Sequence, residues 1–515
     1  MKLRDSMELG GRHLMGWLDP DKDYLPTGSW AITHDLGRWW DAMLRLEHVT
    51  GFTIPGHMEG ANLRNLHWLT DNPDGLLWVP PGLDWQPLKF ELHSLREGIL
   101  TFAALAKYRN NAWAPQAGHK YLESIRRALK PDFTWDFDQF EYSKLFTGGE
   151  NEHPGHTPAN EDRFPLIVQH GRCIEALVWF YEATDDALAI ELAEDLSRFH
   201  LTYVMNADGT IPDELLHVKP GDRQSYLYTL CGLLLFGIAT HQSEYVDAVV
   251  RAYEAGVPGL VNESGWVAHD LGELRFPDET GNPLANTEST GAAARLSLWM
   301  ALHTGRAECY DDVERLVRAR LFPGQTTEAD VRDNPDVEIS EKAVGGWGAN
   351  SYPHAGKGFN PSGTAEIVHT MCAIYENVCS REAAGLFVNM HFDYEDADVK
   401  VIVHRDDAAA VTIIPRIEDN LFVRIPGWTP TESVRLFVDG CGGEELRKVG
   451  ALAFLPRERL RFGCEVVVQY GLPTRRTSET LPAGDTYEFA WKGDEITGVY
   501  PNDKPLPFYP SLEKS

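Results

Sequence analysis

The sequence predicts a mainly α-helical protein, an (α/α)6 barrel followed by a C-terminal β-sandwich. Three observations predict this fold. Apolar residues recur at helical spacing over most of the chain, turn-rich segments interrupt them about every 55 to 75 residues, and the last quarter alternates apolar with polar residues. Each part of the pattern is taken in chain order below.

Helical hairpins account for the helical spacing in the first three quarters of the chain. Ile174, Leu177, Val178 and Tyr181 follow an i, i+3, i+4, i+7 pattern, and the apolar spacing resumes after the turn "TDD". Similar helix, turn, helix units are predicted around residues 46–52, 105–113, 181–188, 238–245 and 302–310, with a sixth near 363–378. Six pairs would close a ring, whereas an open solenoid is the alternative arrangement. Long Gly-, Pro- and His-rich segments between the helices favour the barrel, because such loops crowd over one mouth.

The β-sandwich is predicted from residue 383 onward. Five short β-rich runs, bounded by Gly, Pro and Asp, are "DVKVIVH", "AAVTIIP", "NLFVRIPGW", "SVRLFVDG" and "CEVVVQYG". The predicted domains are therefore a catalytic barrel over 1–382 and a sandwich with a Pro-rich tail over 383–515. We expect the sandwich to support the barrel, because its sequence lacks a dense group of titratable residues.

Composition limits the classes of partner. Lys and Arg total 47 against 77 Asp and Glu, a net charge of −30, which argues against nucleic acid and anionic membranes. The chain has no apolar run of membrane-spanning length and no secretion signal at its start. Seven cysteines without a CxxC pair indicate reduced thiols, so a cytoplasmic protein is expected. The oligomeric state, a homo-oligomer included, stays open.

Histidine recurs with tryptophan or a carboxylate in five loop segments, the mixture expected of a carbohydrate cleft: residues 31–40, 89–98, 167–176, 266–273 and 345–358. Aromatic faces stack on sugar rings, while charged and amide groups bind hydroxyls. The expected partner is a small oligosaccharide, and the predicted substrate-binding residues are His34, Asp35, His93, Arg172, His269, Asp270, Trp347, Tyr352 and His354.

Two glutamates stand out in "HDLGELRFPDETGNPLANTESTG", residues 269–291. Cleavage of a glycosidic bond needs an acid for the leaving oxygen and a second group that activates water or attacks the sugar. Glu273 and Glu288 are the candidates, with His170 as a further catalytic candidate. For Glu288 the alternative is a structural role, because "NTEST" also resembles a helix N-terminus, where an acid is favoured.

The same stretch resembles the β-L-arabinofuranosidases of glycoside hydrolase family 127. His269, the Gly272–Glu273 pair and Glu288 follow the order of the family's motif, and "GRCIEALVWFYEATDD", "GLFVNMHF" and "NLFVRIPGW" resemble further segments of it. The resemblance covers most of residues 165–470. It implies an (α/α)6 barrel with β-sandwich domains, Glu273 as general acid/base, and a cysteine nucleophile held on zinc by a glutamate and two other cysteines.

This chain departs from the family at the zinc ligands. Glu288 matches the ligand glutamate, but Thr290, Thr364 and Ala365 stand where the resemblance implies cysteines. Arg172 also replaces the family's histidine before "IEA". Thr and Ala supply no thiolate, so neither a zinc–thiolate site nor a cysteine nucleophile is expected, and no metal or cofactor is predicted.

Three functions follow. The first is a zinc-independent glycoside hydrolase acting on a plant or algal cell-wall oligosaccharide, with Glu273 as acid and Glu288, His170 or His354 activating water. The second is a lyase or dehydratase acting on a uronate-type or unsaturated oligosaccharide, with His170, Arg172, Tyr352 and His354 handling proton and carboxylate; sugar epimerisation is a minor branch of it. The third is a non-catalytic sugar-binding protein.

Overall fold

The structure is a computed structural model that describes most of the chain. The described residues are 2–26, 32–78, 94–133, 135–136, 139–140, 170–216, 221–272, 283–333, 341–348, 353, 356–442, 448–481, 484–502 and 507–512. No helix among them is both long enough and apolar enough to cross a membrane. All seven cysteines are free thiols, and six of them are buried.

Fifteen α-helices lie within these residues. They are α1 (Leu3–Gly16), α2 (Ile32–Thr50), α3 (Gly56–Thr70), α4 (Leu95–Arg109), α5 (Ala114–Ala128), α6 (Cys173–Thr184), α7 (Ala187–Tyr203), α8 (Asp213–Leu216), α9 (Arg223–Ala239), α10 (Ser243–Ala255), α11 (Thr287–Thr304), α12 (Cys309–Leu316), α13 (Phe322–Gly324), α14 (Glu328–Asp333) and α15 (Pro361–Glu376).

Six of the helices form a closed inner ring. Helix α2 packs on α4, α4 on α6, α6 on α9, α9 on α11, α11 on α15, and α15 back on α2. An outer layer covers the ring, with α5 on α4, α7 on α6, α10 on α9, α12 on α11 and α1 on α15. The closed ring confirms the predicted (α/α)6 barrel and excludes the open solenoid.

The predicted hairpin turns coincide with helix ends in the left-handed conformation. Asn110 (φ 49°) ends α4, Asp185 (φ 57°) ends α6, and Gly305 (φ 71°) ends α11. Glycine, asparagine and aspartate adopt this conformation at the least cost, which is why these sequences turn there. The sixth pair is different, because α15 packs against α1 from the beginning of the chain.

Eighteen strands lie within the described residues. They are β1 (Leu18–Asp19), β2 (Leu25–Pro26), β3 (Gly221–Asp222), β4 (Asp270–Leu271), β5 (Cys379–Glu382), β6 (Gly385–Val388), β7 (Tyr394–Glu395), β8 (Val399–Arg405), β9 (Ala408–Pro415), β10 (Leu421–Arg424), β11 (Arg435–Val438), β12 (Cys441–Gly442), β13 (Lys448–Val449), β14 (Leu452–Leu455), β15 (Val466–Gly471), β16 (Thr474–Thr480), β17 (Thr486–Lys492) and β18 (Glu495–Tyr500).

The C-terminal strands form the predicted β-sandwich. One sheet has the order β13-β14-β10-β6-β5 and the other β12-β11-β15-β9-β8-β7, and a third, three-stranded sheet has the order β16-β17-β18. All five predicted β-rich runs contain a strand. Alternate residues of β9, such as Val411 and Ile413, are buried in the same core as Leu421 and Leu455 of the facing sheet. Helix α15 ends at Glu376 and strand β5 begins at Cys379. The domain division at residue 382 stays a prediction.

Buried ion pairs hold the sandwich against the barrel. Arg424 of β10 donates to Asp311 and Glu314 of α12. Arg318 lies 2.7 Å from Asp494 Oδ2 and 3.5 Å from Glu314 Oε1. The sandwich therefore does contribute titratable groups, but at this interface they are engaged with one another.

The C-terminal segment packs on the barrel. Phe508 and Tyr509 are buried in a small core with Trp266, and the Tyr509 hydroxyl donates to the carbonyl of Ala319 at 2.7 Å. Phe508 and Tyr509 therefore anchor the described part of the Pro-rich tail to the barrel.

Candidate active site

Charged residues and one tyrosine in the first two turns of the inner helices meet at one end of the barrel. These residues are Arg38 of α2, Arg96 and Glu97 of α4, Arg172 and Glu175 at the start of α6, Tyr228 of α9, Glu288 of α11, and Glu366 of α15. Each is at most 6% exposed. Converging helix N-termini favour negative charge, so carboxylates are stabilised there beyond their pairing with arginine.

Arg38 joins three of the carboxylates. Its Nε lies 3.1 Å from Glu97 Oε1 and 3.2 Å from Glu366 Oε1, and its Nη1 lies 3.1 Å from Glu288 Oε2. Nη1 also donates to the side-chain oxygen of Ser362 at 2.8 Å. Burial lowers the pKa of Arg38, but the carboxylates of Glu366, Glu288 and Glu97 outweigh it and raise the pKa above its ordinary value.

Glu366 is held ionised by neighbouring cations. Arg96 Nη1 lies 2.5 Å from its Oε1, and the Tyr228 hydroxyl donates to its Oε2 at 2.7 Å. Burial raises the pKa of Glu366, but Arg96, Arg38 and Arg295 outweigh it and keep the pKa well below its usual range. The guanidinium carbons of Arg96 and Arg295 lie 4.5 and 4.4 Å from the Tyr228 ring centroid, so one ring contacts two cations.

Glu97 organises the opposite side of the network. Arg172 donates to Glu97 Oε1, and His34 Nδ1 lies 3.6 Å from the same oxygen. Burial and the charges of Arg38 and Arg172 hold the pKa of His34 well below its ordinary value, so its imidazole is neutral. The predicted substrate-binding pair of His34 and Arg172 is thus brought together through Glu97.

Glu288 lies at the start of α11, and its neighbours fix its side chain. Asn286 caps the helix by accepting a hydrogen bond from the backbone N–H of Glu288 at 2.8 Å. The helix cap is therefore Asn286, which leaves the Glu288 carboxylate free to bind Arg38. Gly363 makes room for it, because a Cβ there would lie 2.5 Å from Glu288 Oε1.

Near Glu288, a short strand pair carries a histidine and two carboxylates. Strands β3 and β4 place Asp222 opposite Asp270, and His269 Nδ1 lies 3.0 Å from Asp270 Oδ1. Burial lowers the pKa of His269, but the hydrogen bond to Asp270 and the charges of Asp222, Asp270 and Glu288 outweigh it and raise the pKa. His269 therefore favours the imidazolium form beside Glu288.

The residues that correspond to the family's zinc ligands do not fit zinc. The Thr290 hydroxyl donates to the carbonyl of Gly265 at 2.7 Å, and the Thr364 hydroxyl to the carbonyl of Asn360 at 2.8 Å. Ala365 has no donor atom. Glu288 instead binds the Arg38 guanidinium, an organic cation where the resemblance implies a metal. Among the described residues, no group of three His, Cys, Asp or Glu side chains has the geometry to hold a metal ion.

The predicted site residues fall into three groups. His34, Asp35, Arg172, His269, Asp270 and Glu288 lie on the helix starts and strands just described. His170 and Trp347 do not join them. Glu273, His93, Tyr352 and His354 lie outside the described residues.

His170 and Trp347 are packed elsewhere in the barrel. The His170 ring stacks on Trp135 with centroids 4.7 Å apart, in a cavity between the inner and outer helices. Burial and the nearby His200 hold the pKa of His170 well below its ordinary value. Trp347 is fully buried, and its Nε1 donates to the carbonyl of Leu321 at 2.6 Å. Both rings are therefore engaged in packing and do not join the charged network.

Sequence reasoning missed Arg38, Glu97 and Glu366. All three share a sequence feature, a charged residue within the first two turns of a largely buried helix. Charges at such positions are buried together when helix starts converge. A search for site residues in the loops alone finds the residues next to them and misses the helix-start charges themselves.

An (α/α)6 barrel followed by a β-sandwich defines the class of architecture. The solved structures that share it include a GH127 β-L-arabinofuranosidase from Geobacillus stearothermophilus T6, with TM-score 0.58 and 15% identity over 96% of this chain and 80% of that one. A structure described as a GH127 β-arabinofuranosidase has TM-score 0.62 and 12% identity over 95% of this chain and 78% of that one.

A further structure, described as a glycoside hydrolase, has TM-score 0.58 and 13% identity over 96% of this chain and 80% of that one. At such identities the likeness shows the fold, and the chain has a GH127-like fold. No protein-family model and no curated protein matches the sequence.

Proposed function

We propose that the protein is a carbohydrate-active enzyme, specifically a glycoside hydrolase that works without zinc on a plant or algal cell-wall oligosaccharide. One observation carries the proposal. The Glu288 carboxylate and the His269–Asp270 pair lie together at the helix starts, on the segments that flank residues 273–282. Glu273 directly follows Gly272, the last described residue after β4.

In this proposal Glu273 is the general acid that protonates the leaving oxygen. Glu288 is the carboxylate that activates water, and the adjacent Arg38 guanidinium holds it in position at 3.1 Å. His269 donates a hydrogen bond to a sugar hydroxyl, and its raised pKa favours the protonated ring more than in a free histidine. Arg38, Glu97 and Glu366 hold Glu288 in place through one connected network.

The lyase and the non-catalytic protein remain alternatives. Of the residues that the lyase would use, Arg172 binds Glu97 and His170 stacks on Trp135, so the described residues lend it no specific support. A non-catalytic protein would bind sugars without altering their mass.

Product mass separates these functions. The protein is incubated with a panel of cell-wall oligosaccharides, and the products are weighed by mass spectrometry. Hydrolysis adds one water for each bond cut, bond elimination adds none, and dehydration removes one. A total product mass that exceeds the substrate mass by one water for each bond cut supports the proposal. Products of elimination, products of dehydration, or unchanged substrate contradict it.

Variants and chelation then test the assigned groups. Glu273→Gln is expected to abolish turnover, while the control Glu458→Gln, at a side chain 71% exposed, retains it. Dialysis against a chelator is expected to leave turnover unchanged, because no thiolate ligand stands at positions 290, 364 or 365. Stoichiometric zinc in the purified protein would overturn the zinc-free mechanism, and full activity of Glu273→Gln would exclude that residue as the acid.

A further inference from the structure

A second polar and aromatic pocket lies on the outside of the barrel, away from the charged centre. Its volume is about 480 Å³, within the range of small-ligand pockets. It is formed by the end of α3, the segment that follows it, and the start of α5. Its lining includes the side chains of His67, Trp68, Thr70, Asp71, Trp113 and Lys120.

Two tryptophans form the aromatic wall. Among the tryptophans that the structure describes, Trp68 is the only one more than a third exposed, at 39%. Trp113 is half-buried and fixed, because its backbone N–H donates to Asn111 Oδ1 at 2.9 Å and its ring lies 4.0 Å from that of His67. An exposed indole beside a fixed one offers a flat apolar surface at little cost in side-chain ordering.

The polar rim is held in place before any ligand arrives. Lys120 Nζ donates to the carbonyl of Asn72 at 2.9 Å. The Asn72 side-chain amide donates to the carbonyls of Leu69 and Leu76, which fixes the segment. Gly75 (φ 65°) leaves space for the lysine stem, since a Cβ there would lie 2.9 Å from Lys120 Cδ.

The chemistry of the rim selects the ligand class. Asp71 accepts hydrogen bonds and Lys120 donates them, while the Thr70 hydroxyl, which donates to the carbonyl of Leu66 at 2.8 Å, can accept one from a ligand. The two charges offset each other, so the rim favours neither an anion nor a cation. A purely apolar ligand would cover these polar groups without offering them hydrogen bonds. Sugar rings match all of these features, because they combine an apolar face with hydroxyls that donate and accept.

We propose that this pocket is an accessory binding site for a neutral glycan chain, separate from the reaction centre. The choice of a glycan rests in part on the proposed carbohydrate-active function. The site would hold a longer chain to the protein while the barrel mouth acts on a sugar end.

Affinity electrophoresis in native gels tests the proposal with the full-length protein. The gels contain arabinan, xyloglucan, mannan or laminarin as neutral probes, and alginate as an anionic one. At least one neutral polysaccharide is expected to retard the wild type, and alginate is not. Trp68→Ala is expected to weaken binding about tenfold, equivalent to about 1.4 kcal/mol. The control Tyr203→Ala removes another exposed ring, 55% exposed on α7, and is expected to bind as the wild type does.

The outcomes are distinct. Absence of retardation by every neutral probe, equal retardation of Trp68→Ala and wild type, or stronger retardation by alginate overturns the accessory site. If Trp68→Ala does not fold, Asp71→Asn at the exposed rim gives the same comparison. Turnover of small oligosaccharides is expected to be unchanged in Trp68→Ala. Trp68-dependent binding without turnover of any sugar would contradict the proposed enzyme and leave the accessory site standing.

Discussion

Replacing Arg38 with methionine tests whether this guanidinium is the cation that Glu288 requires. The side chain is 3% exposed and lies within 3.2 Å of Glu97, Glu288 and Glu366. Methionine has a similar length and no charge. Glu97 and Glu366 would keep other arginines, but Arg38 is the only described cation within 4.0 Å of Glu288.

The expected loss of stability arises at Glu288, because Glu97 and Glu366 keep other arginines whereas Glu288 loses its described cation. Removing one partner of a buried ion pair costs about 3–5 kcal/mol, because the remaining charge stays buried without compensation. Arg38→Met should therefore lower the free energy of unfolding by about this amount. The double variant Arg38→Met/Glu288→Gln removes the stranded charge as well and should recover about 2 kcal/mol of the loss.

Urea denaturation followed by tryptophan fluorescence measures both effects. The control is Arg64→Met, since Arg64 and Asp23 form an exposed pair, 64% and 51% accessible, for which the loss should be about 1 kcal/mol or less. A loss below about 1 kcal/mol for Arg38→Met, or a double variant no more stable than the single one, would refute the reasoning.

Two further predictions concern the neighbours of Glu288. Asp270→Asn removes the partner that raises the pKa of His269. The variant's loss in free energy of unfolding should therefore be largest below about pH 6.5 and should vanish as the pH rises through the pKa of His269 in the folded protein. Urea titrations at several pH values measure this loss, and a loss that grows with pH would contradict the prediction. Gly363→Ala should displace the Glu288 side chain and lower the free energy of unfolding by about 1–3 kcal/mol in the same assay. The control Gly16→Ala adds a methyl group to a helical glycine that has open space around it, and it should not lower the stability. Equal stability of the two variants would contradict the prediction.

The fold was predictable because its signals are local and repeated. Apolar spacing and left-handed turn residues such as Asn110 and Asp185 mark the hairpins, and the alternation of β9 marks the sandwich. The partner of α15 was not predictable in this way. It is α1, far away in sequence, and no periodicity links the two.

The candidate site was predictable only in part. His269, Asp270 and Glu288 share one sequence stretch and come together in space. His170 and Arg172 also share a stretch, but two residues along a helical backbone place side chains on nearly opposite sides. Arg172 faces the charged centre, whereas His170 faces the outer helices. Arg38 pairs with acids from three other helices, which sequence spacing cannot reveal.

The pairing of α1 with α15 has a consequence for synthesis on the ribosome. About 345 residues separate the end of α1 from the start of α15. At about 5–20 residues per second, roughly 17 to 70 s pass before the last partner of α1 emerges. During that time Leu3, Met7 and Leu14, all buried in the finished barrel, lack the cover of α15. The nascent chain therefore presents the apolar face of α1 to chaperones until the ring is closed.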